Sequence, residues 1–250
     1  MKNQPLKHNY RNPFPHLAFA TNEFLEKKVK ENPANHQKQW ALELNAIVFE
    51  VQERERKAIG MELHDNVNQI LVSTKLLLSA VETTAETDRG LLSACMENLQ
   101  HAIDENRRIA HEMVAPDFKE QKLAEQVESI AATMLQPAGV TVHLDLSRLD
   151  ESKLHPQQKL VIYRVIQEQC TNIIRYAESR NVRINMSTCD SLFRMTIVDD
   201  GKGIDPAKKK HGIGLQNIQN RVSASNGTVI VHSEPGKGFS LEVEMPLAAW

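Results

Sequence analysis

The chain has 250 residues, 41% hydrophobic and 25% charged, with a formal net charge of −2. That composition fits one or two soluble globular domains and excludes a disordered or fibrous chain. The near-neutral charge, with Lys208-Lys209-Lys210 as the only basic run, excludes a strongly basic nucleic-acid binder.

Residues 1–35 are polar, carry Pro5, Pro13, Pro15 and Pro33, and read as a poorly ordered leader with a short helix at 21–31. They lack the apolar core of a signal peptide. From about His36 to Val81 no proline intervenes, and Trp40, Leu44, Ile47, Val51, Ile59, Leu63, Val67, Ile70, Thr74, Leu77 and Val81 recur largely in steps of three and four. That period over that length predicts a bundle or coiled-coil helix. "ETTAETD" (82–88) is a turn, and a second helix at about 89–114 carries Leu92, Cys95, Leu99, Ala102, Ile103, Ile109 and Met113 on its apolar side before Pro116 stops it. Residues 36–117 thus form an antiparallel hairpin. One hairpin cannot cover both its apolar stripes, so dimerisation into a four-helix bundle is expected.

Residues 118–250 differ in character. A helix at 121–136, a strand at 139–147, a helix at 155–178, strands at 181–189 and 192–201, a helix at 214–226 and the closing strands "GTVIVHSE" and "FSLEVEMPL" follow in order. They predict helices segregated against a mixed sheet, an α+β sandwich. Cys95, Cys170 and Cys189 lie far apart with no CxxC, and no stretch of about 18 apolar residues spans a membrane. A cytoplasmic location is expected.

Three segments of the second domain carry chemistry. "IVDDGKGID" (197–205) sets acidic residues at a strand end, followed by two glycines that let backbone approach a ligand. "KKKHGIGLQNIQNRV" (208–222) places Gly212 and Gly214 ahead of an amphipathic helix, an arrangement that suits phosphate oxygens. "VIYRVIQEQCTNIIRYA" (161–177) is a helix with Glu168 and Asn172 on one face, oxygen donors of the kind Mg²⁺ favours. Turns, solvated loops and buried polar pairs produce each of these alone. Together and in this order they resemble the ATP-binding domain of histidine kinases, the GHKL fold shared with type II topoisomerase subunits, a heat-shock chaperone ATPase and mismatch-repair ATPases.

The resemblance implies ATP and Mg²⁺ as cofactors, with Asn172 holding the metal and Glu168 assisting. It implies that Asp199 binds the adenine amino group and that Gly201 and Gly203 shape its pocket. Lys210, Gly212, Gly214 and Leu215 would meet the phosphates at the lid. Arg175 and Tyr176 stand where lysine and histidine are frequent in the family, and Phe239 stands where a threonine often lies near the adenine.

"ERKAIGMELHDNVNQIL" returns to the first helix. At about 100° per residue, with Leu63 at zero, Ile59, Val67, Ile70 and Thr74 fall within roughly 40° and His64 sits roughly 100° round, on the flank of the seam. A carboxylate beside an accessible histidine can orient the imidazole. The segment resembles the phosphoacceptor box H-D-x-x-x-Q of the NarL-partnered class of sensor histidine kinases, with His64, Asp65 and Gln69 in the matching places. That resemblance covers about residues 50–250. It implies that His64 takes the γ-phosphoryl of ATP and passes it to an aspartate of a response regulator. Asp65 would accept the proton, and Gln69 would orient water for dephosphorylating the regulator.

A homodimer, a NarL/LuxR-type response regulator and a separate sensory protein are the expected partners. Residues 1–35 are too few for an ordinary sensor domain, so input comes from such a partner or from an upstream region. Two other readings stay open: a dimeric scaffold that binds nucleotide but turns over poorly, and a stand-alone ATPase or serine kinase of the same superfamily.

Overall fold

The structure is a computed structural model that describes residues 33–83, 85–204 and 213–247. The helix expected at 21–31, the Lys208–Lys210 run and Gly212 lie outside the described residues. The backbone groups into two compact units, 1–43 and 44–250.

Helix α1 spans Pro33–Glu62 and continues through a wide, π-type turn, Leu63–Val67, into α2, Asn68–Ser79. Proline at the first helical position costs nothing there, because its missing N–H would have no intrahelical partner. Helix α3, Glu86–Met113, starts three residues before the expected point, with Glu86 and Asp88 in its first turn, where acidic side chains oppose the positive helix end. It stops as expected: Val114 is extended and Pro116 follows.

Between Ile59 and Val81, Leu63 is the one member of the stripe singled out by the period that is sheltered against α3. Gly60, Leu63, Asn68, Leu71, Lys75 and Leu78 are the sheltered positions, with Gly60 beside Ala110, Leu63 beside Asn106 and Lys75 bonded to Gln100 of α3. Gly60 allows the closest approach, since a Cβ there would lie 2.7 Å from Val114 Cγ2 and 3.0 Å from the Ala110 carbonyl oxygen. Ile59, Val67, Ile70, Leu77 and Val81 remain exposed, Ile70 at 66% and Leu77 at 72%. Apart from Leu63, the stripe from Ile59 to Val81 is therefore the outer face of the hairpin, and the inner face is one residue out of phase with it and more polar.

The remaining chain is a two-layer α/β sandwich. Helix α4, Leu123–Ile130, extends through a π-type turn to Leu135; strand β1, Thr141–Arg148, leads to α5, Pro156–Asn172, itself extended by a π-type turn to Ala177. Strands β2, Asn181–Cys189, and β3, Leu192–Asp199, precede α6, Ile213–Ala224, and strands β4, Thr228–Ser233, and β5, Phe239–Pro246, close the fold. The sheet order is β1-β2-β3-β5-β4. The β1–β2 pair is parallel and the others are antiparallel.

Alternation sets the layers. Val182, Ile184 and Met186 of β2, Phe193, Met195 and Ile197 of β3, and Leu241, Val243 and Met245 of β5 are buried under α4, α5 and α6. Arg183, Arg194 and Val198 point to the open face and are exposed. Asp199 continues the buried phase of β3, an acid at a position where the pattern calls for an apolar side chain. Pro156 opens α5, and His155 and Gln158 cap it reciprocally.

Helix α5 also joins the sheet layer to the hairpin. Arg164, only 1% exposed, pairs with Glu53 of α1 at 2.7 Å and donates to the carbonyls of Glu112 and Met113 at 3.0 Å each. Gln167 donates to the same Glu112 carbonyl at 3.2 Å. The last carbonyls of α3, which have no partner within their own helix, are thus capped by α5. Phe49 of α1 is buried in the same core, with the Arg221 guanidinium 5.7 Å above its ring.

Candidate functional site

His64 lies in the wide turn between α1 and α2 with its side chain 68% exposed. Its Nδ1 is 2.9 Å from Asp65 Oδ1. A carboxylate oxygen accepts, so in a neutral ring this contact selects the tautomer with its proton on Nδ1 and its lone pair on Nε2. Asn66 is turned away, donating to Glu62 Oε1 at 2.6 Å. Gln69 is exposed and lines a shallow groove of about 430 Å³ with Asn66, Ile70, Ser73, Thr74 and Leu77. The hydroxyls of Ser73 and Thr74 are occupied by the carbonyls of Gln69 and Ile70.

A second constellation forms in the sheet domain. A Cβ on Gly214, at the start of α6, would lie 2.5 Å from Glu168 Oε1 and 3.5 Å from Asn172 Oδ1. Glu168, Asn172 and the N-terminus of α6 therefore converge. A glycine is required where they meet, and a carboxylate suits the positive end of a helix. Two hard oxygen donors beside a helix N-terminus fit Mg²⁺, which takes one or two side chains and completes its shell with phosphates and water. Among the described residues no group of three or more His, Cys, Asp or Glu side chains forms a metal cage.

Asp199, buried at the end of β3, accepts the Gly201 N–H at 3.0 Å. Burial pushes its carboxyl above the usual carboxylate range, against the pull of that N–H. Phe239 is its register neighbour on β5 and lies on the same side of the sheet. The next residue, Asp200, is exposed but tied down: it accepts from Ser179 Oγ, Arg180 N–H, Asn181 N–H and Asn181 Nδ2 at 2.7–2.9 Å. The Asn181 bonds, with that of Ser179, hold it well below the usual carboxylate range.

The loop after β3 is shaped by close backbone contact. A Cβ on Gly201 would lie 2.3 Å from the Ala177 carbonyl oxygen, and one on Gly203, at φ +63°, 2.2 Å from the Glu234 carbonyl oxygen. These glycines hold the loop against the protein itself. Leu215 packs into the core, so only its backbone is available to a ligand. Arg175 and Tyr176 are exposed at the end of α5. Lys210 and Gly212 lie outside the described residues. Asp200, Asn106, Glu53 and Arg164 were not picked out from the sequence. The double acid "DD" marks Asp200, but nothing local marks Arg164 and Glu53, 111 positions apart.

Residues 157–249 match the family described as histidine kinase-, DNA gyrase B- and HSP90-like ATPase, and residues 55–118 match a family described as histidine kinase. The signal transduction histidine-protein kinase/phosphatase UhpB of Salmonella typhimurium is 28% identical over 200 residues, 78% of this chain and 40% of UhpB. The signal transduction histidine-protein kinase/phosphatase DegS of Brevibacillus brevis is 24% identical over 208 residues, 80% of this chain and 53% of DegS. The chain thus spans about half, or less, of the length of these relatives. The histidine kinase domain of the Erythrobacter litoralis blue-light activated histidine kinase is 18% identical with a TM-score of 0.47, covering 78% of this chain and 94% of that domain. Among the described residues no helix is long and apolar enough to cross a membrane.

Proposed function

We propose, on the premise that this chain belongs to the histidine kinases and carries both their phosphoacceptor region and their ATPase domain, that it phosphorylates its own His64 from ATP. It then passes the phosphoryl group to an aspartate of a response regulator of the NarL type. The observation that carries the proposal is the exposed imidazole with Nδ1 held by Asp65 at 2.9 Å.

Nε2 of His64 forms the new bond to the γ-phosphorus as the bond from that phosphorus to the β–γ bridging oxygen breaks and ADP leaves. Positive charge that builds on the ring is met by Asp65, which takes the Nδ1 proton. Asp199 receives the exocyclic amine of adenine, a role that suits a buried acceptor at a strand end. Glu168 and Asn172 would hold Mg²⁺, whose charge neutralises the phosphates. Arg175, Tyr176 and the lid residues Lys210, Gly212, Gly214 and Leu215 complete the nucleotide site, with Gly201 and Gly203 fixing the loop behind Asp199. Gln69 has no basicity, so in the reverse task it orients a water against the phosphorylated regulator. The working unit is a homodimer in the cytoplasm, with its input coming from a separate sensory protein or from an upstream region.

Incubation with γ-labelled ATP and Mg²⁺ should give acid-labile, alkali-stable label that is lost in His64→Ala. Label kept in that variant refutes His64 as the acceptor. Phe239 beside Asp199 favours a second reading, a nucleotide-binding scaffold that turns over poorly; bound nucleotide with no label would support it.

A further inference from the structure

We infer that Asn106 of α3 is a positioning residue for the phosphoacceptor: its carboxamide stabilises the wide turn that brings His64 and Gln69 onto one face of the helix. The inference deepens the kinase reading and rests on it for its functional consequence.

The phase of the helix carries the first half of the argument. Sheltered positions run Phe49, Glu53, Arg56, Gly60 and Leu63 in steps of four and three, and Asn68, Leu71, Lys75 and Leu78 in steps of three and four. Only the step from Leu63 to Asn68 has five residues, and there the Asn68 N–H bonds the Leu63 carbonyl. In an uninterrupted α-helix, residues five apart lie about 140° from each other. The wide turn cancels that angle and stacks Asn68 above Leu63 against α3. His64 and Gln69 follow these two by one residue each and stand in the same relation. Both are exposed. Without the turn, Gln69 would lie well round the helix from His64, and one phosphoryl group could not meet both.

Asn106 carries the second half. π-type turns are rare and frequently sit at functional sites. A side chain inserted into the i→i−4 ladder is an established cause of local departure from α geometry. Asn106 is buried opposite the turn, and its Nδ2 lies 2.9 Å from the Leu63 carbonyl oxygen. A carbonyl only accepts, so the amide must present its NH₂. The Leu63 carbonyl therefore takes two hydrogen bonds, from Asn68 N–H and Asn106 Nδ2, both of which favour the wide turn. Between Ile103 and Ala110, an apolar side chain would fill the same space. The amide is explained by its bond and not by packing.

Asn106→Leu keeps the volume and removes the donor. In the full chain we expect the KM for ATP to stay within about twofold. The rate of His64 labelling at saturating ATP should fall about tenfold or more, as misplacement of a reacting group implies. Independently of turnover, hydrogen exchange at the Asn68 amide should quicken by a similar factor. Should Asn106→Leu not fold, Asn106→Ser, whose hydroxyl is too short to reach, replaces it. Unchanged Asn68 protection overturns the inference whatever the assay gives, and so does a loss of rate matched by a rise in KM. Label that survives His64→Ala in the otherwise native chain overturns the kinase reading instead, and the exchange measurement still decides the role of Asn106.

Discussion

Asp199 and Asp200 are adjacent, and their surroundings drive them in opposite directions. Asp200 is exposed and accepts four hydrogen bonds from residues 179–181, so its native pKa lies below that of the unfolded chain. Its stabilisation is fully present above the usual carboxylate range and is lost as pH falls towards the native value. Asp199 is buried with its pKa raised, so it favours folding only at low pH and becomes a cost as pH rises through its native value. A costly charge at a strand end is expected of a residue kept for a ligand. Asp200→Ala should destabilise the chain by roughly 1–3 kcal/mol at pH 7, with the gap to wild type narrowing below about pH 4 in urea titrations. Asp199→Asn should unfold no earlier than wild type without nucleotide, yet bind ATP about a hundredfold more weakly by calorimetry, for the loss of a charged partner. Tight ATP binding by Asp199→Asn would remove Asp199 from the adenine site. Sequence alone pointed to Asp199 by family resemblance, and the alternation Phe193, Met195, Ile197 contained the physical reason, since it carries Asp199 and not Asp200 inward.

Helix α5 shows why a single element can couple two regions. Arg164 and Gln167 dock on the hairpin, while Glu168 and Asn172, within two turns, face the N-terminus of α6. Burying a guanidinium is tolerable only because Glu53 and two helix-end carbonyls satisfy it. Removing it leaves Glu53 and the Met113 carbonyl unpaired in a part-buried site, with Gln167 alone on the Glu112 carbonyl. Arg164→Ala should therefore cost about 3–5 kcal/mol in chemical unfolding, far more than loss of an exposed pair such as Arg54–Glu50. A cost below about 1 kcal/mol would mean that the docking carries little of the stability. Strands and helices were legible from period and capping, and most ends fell within two or three residues. The wide turn at 63–67 was not, because one extra residue leaves steps of three and four intact on both sides. That slip is why the period alone does not tell the outer stripe Ile59, Ile70 and Leu77 from the face that meets α3. The parallel pairing of β1 with β2 was equally hidden, since alternation gives the faces of a strand and not its neighbour.

At the scale of the molecule, that outer face is where the hairpin leaves apolar surface uncovered. Ile59, Ile70, Leu77, Val81 and Leu91 leave a row of apolar side chains exposed along the hairpin, which a solvated surface does not tolerate without cost. A second hairpin laid against it would bury both rows in a four-helix bundle, and the exposed flank that carries His64 and Gln69 would stay open. Stable interfaces bury at least about 1,000 Å² in total, which two helices of this length can supply. Ile70→Glu with Leu77→Glu places like charges in the centre of that interface while leaving Glu168, Asn172 and Asp199 untouched. Sedimentation should show two chains for wild type and one for the double variant, with ATP affinity within about twofold because that site lies in the sheet domain. A wild-type chain that sediments alone at tens of micromolar, or a double variant that still pairs, would mean that this row is covered in some other way.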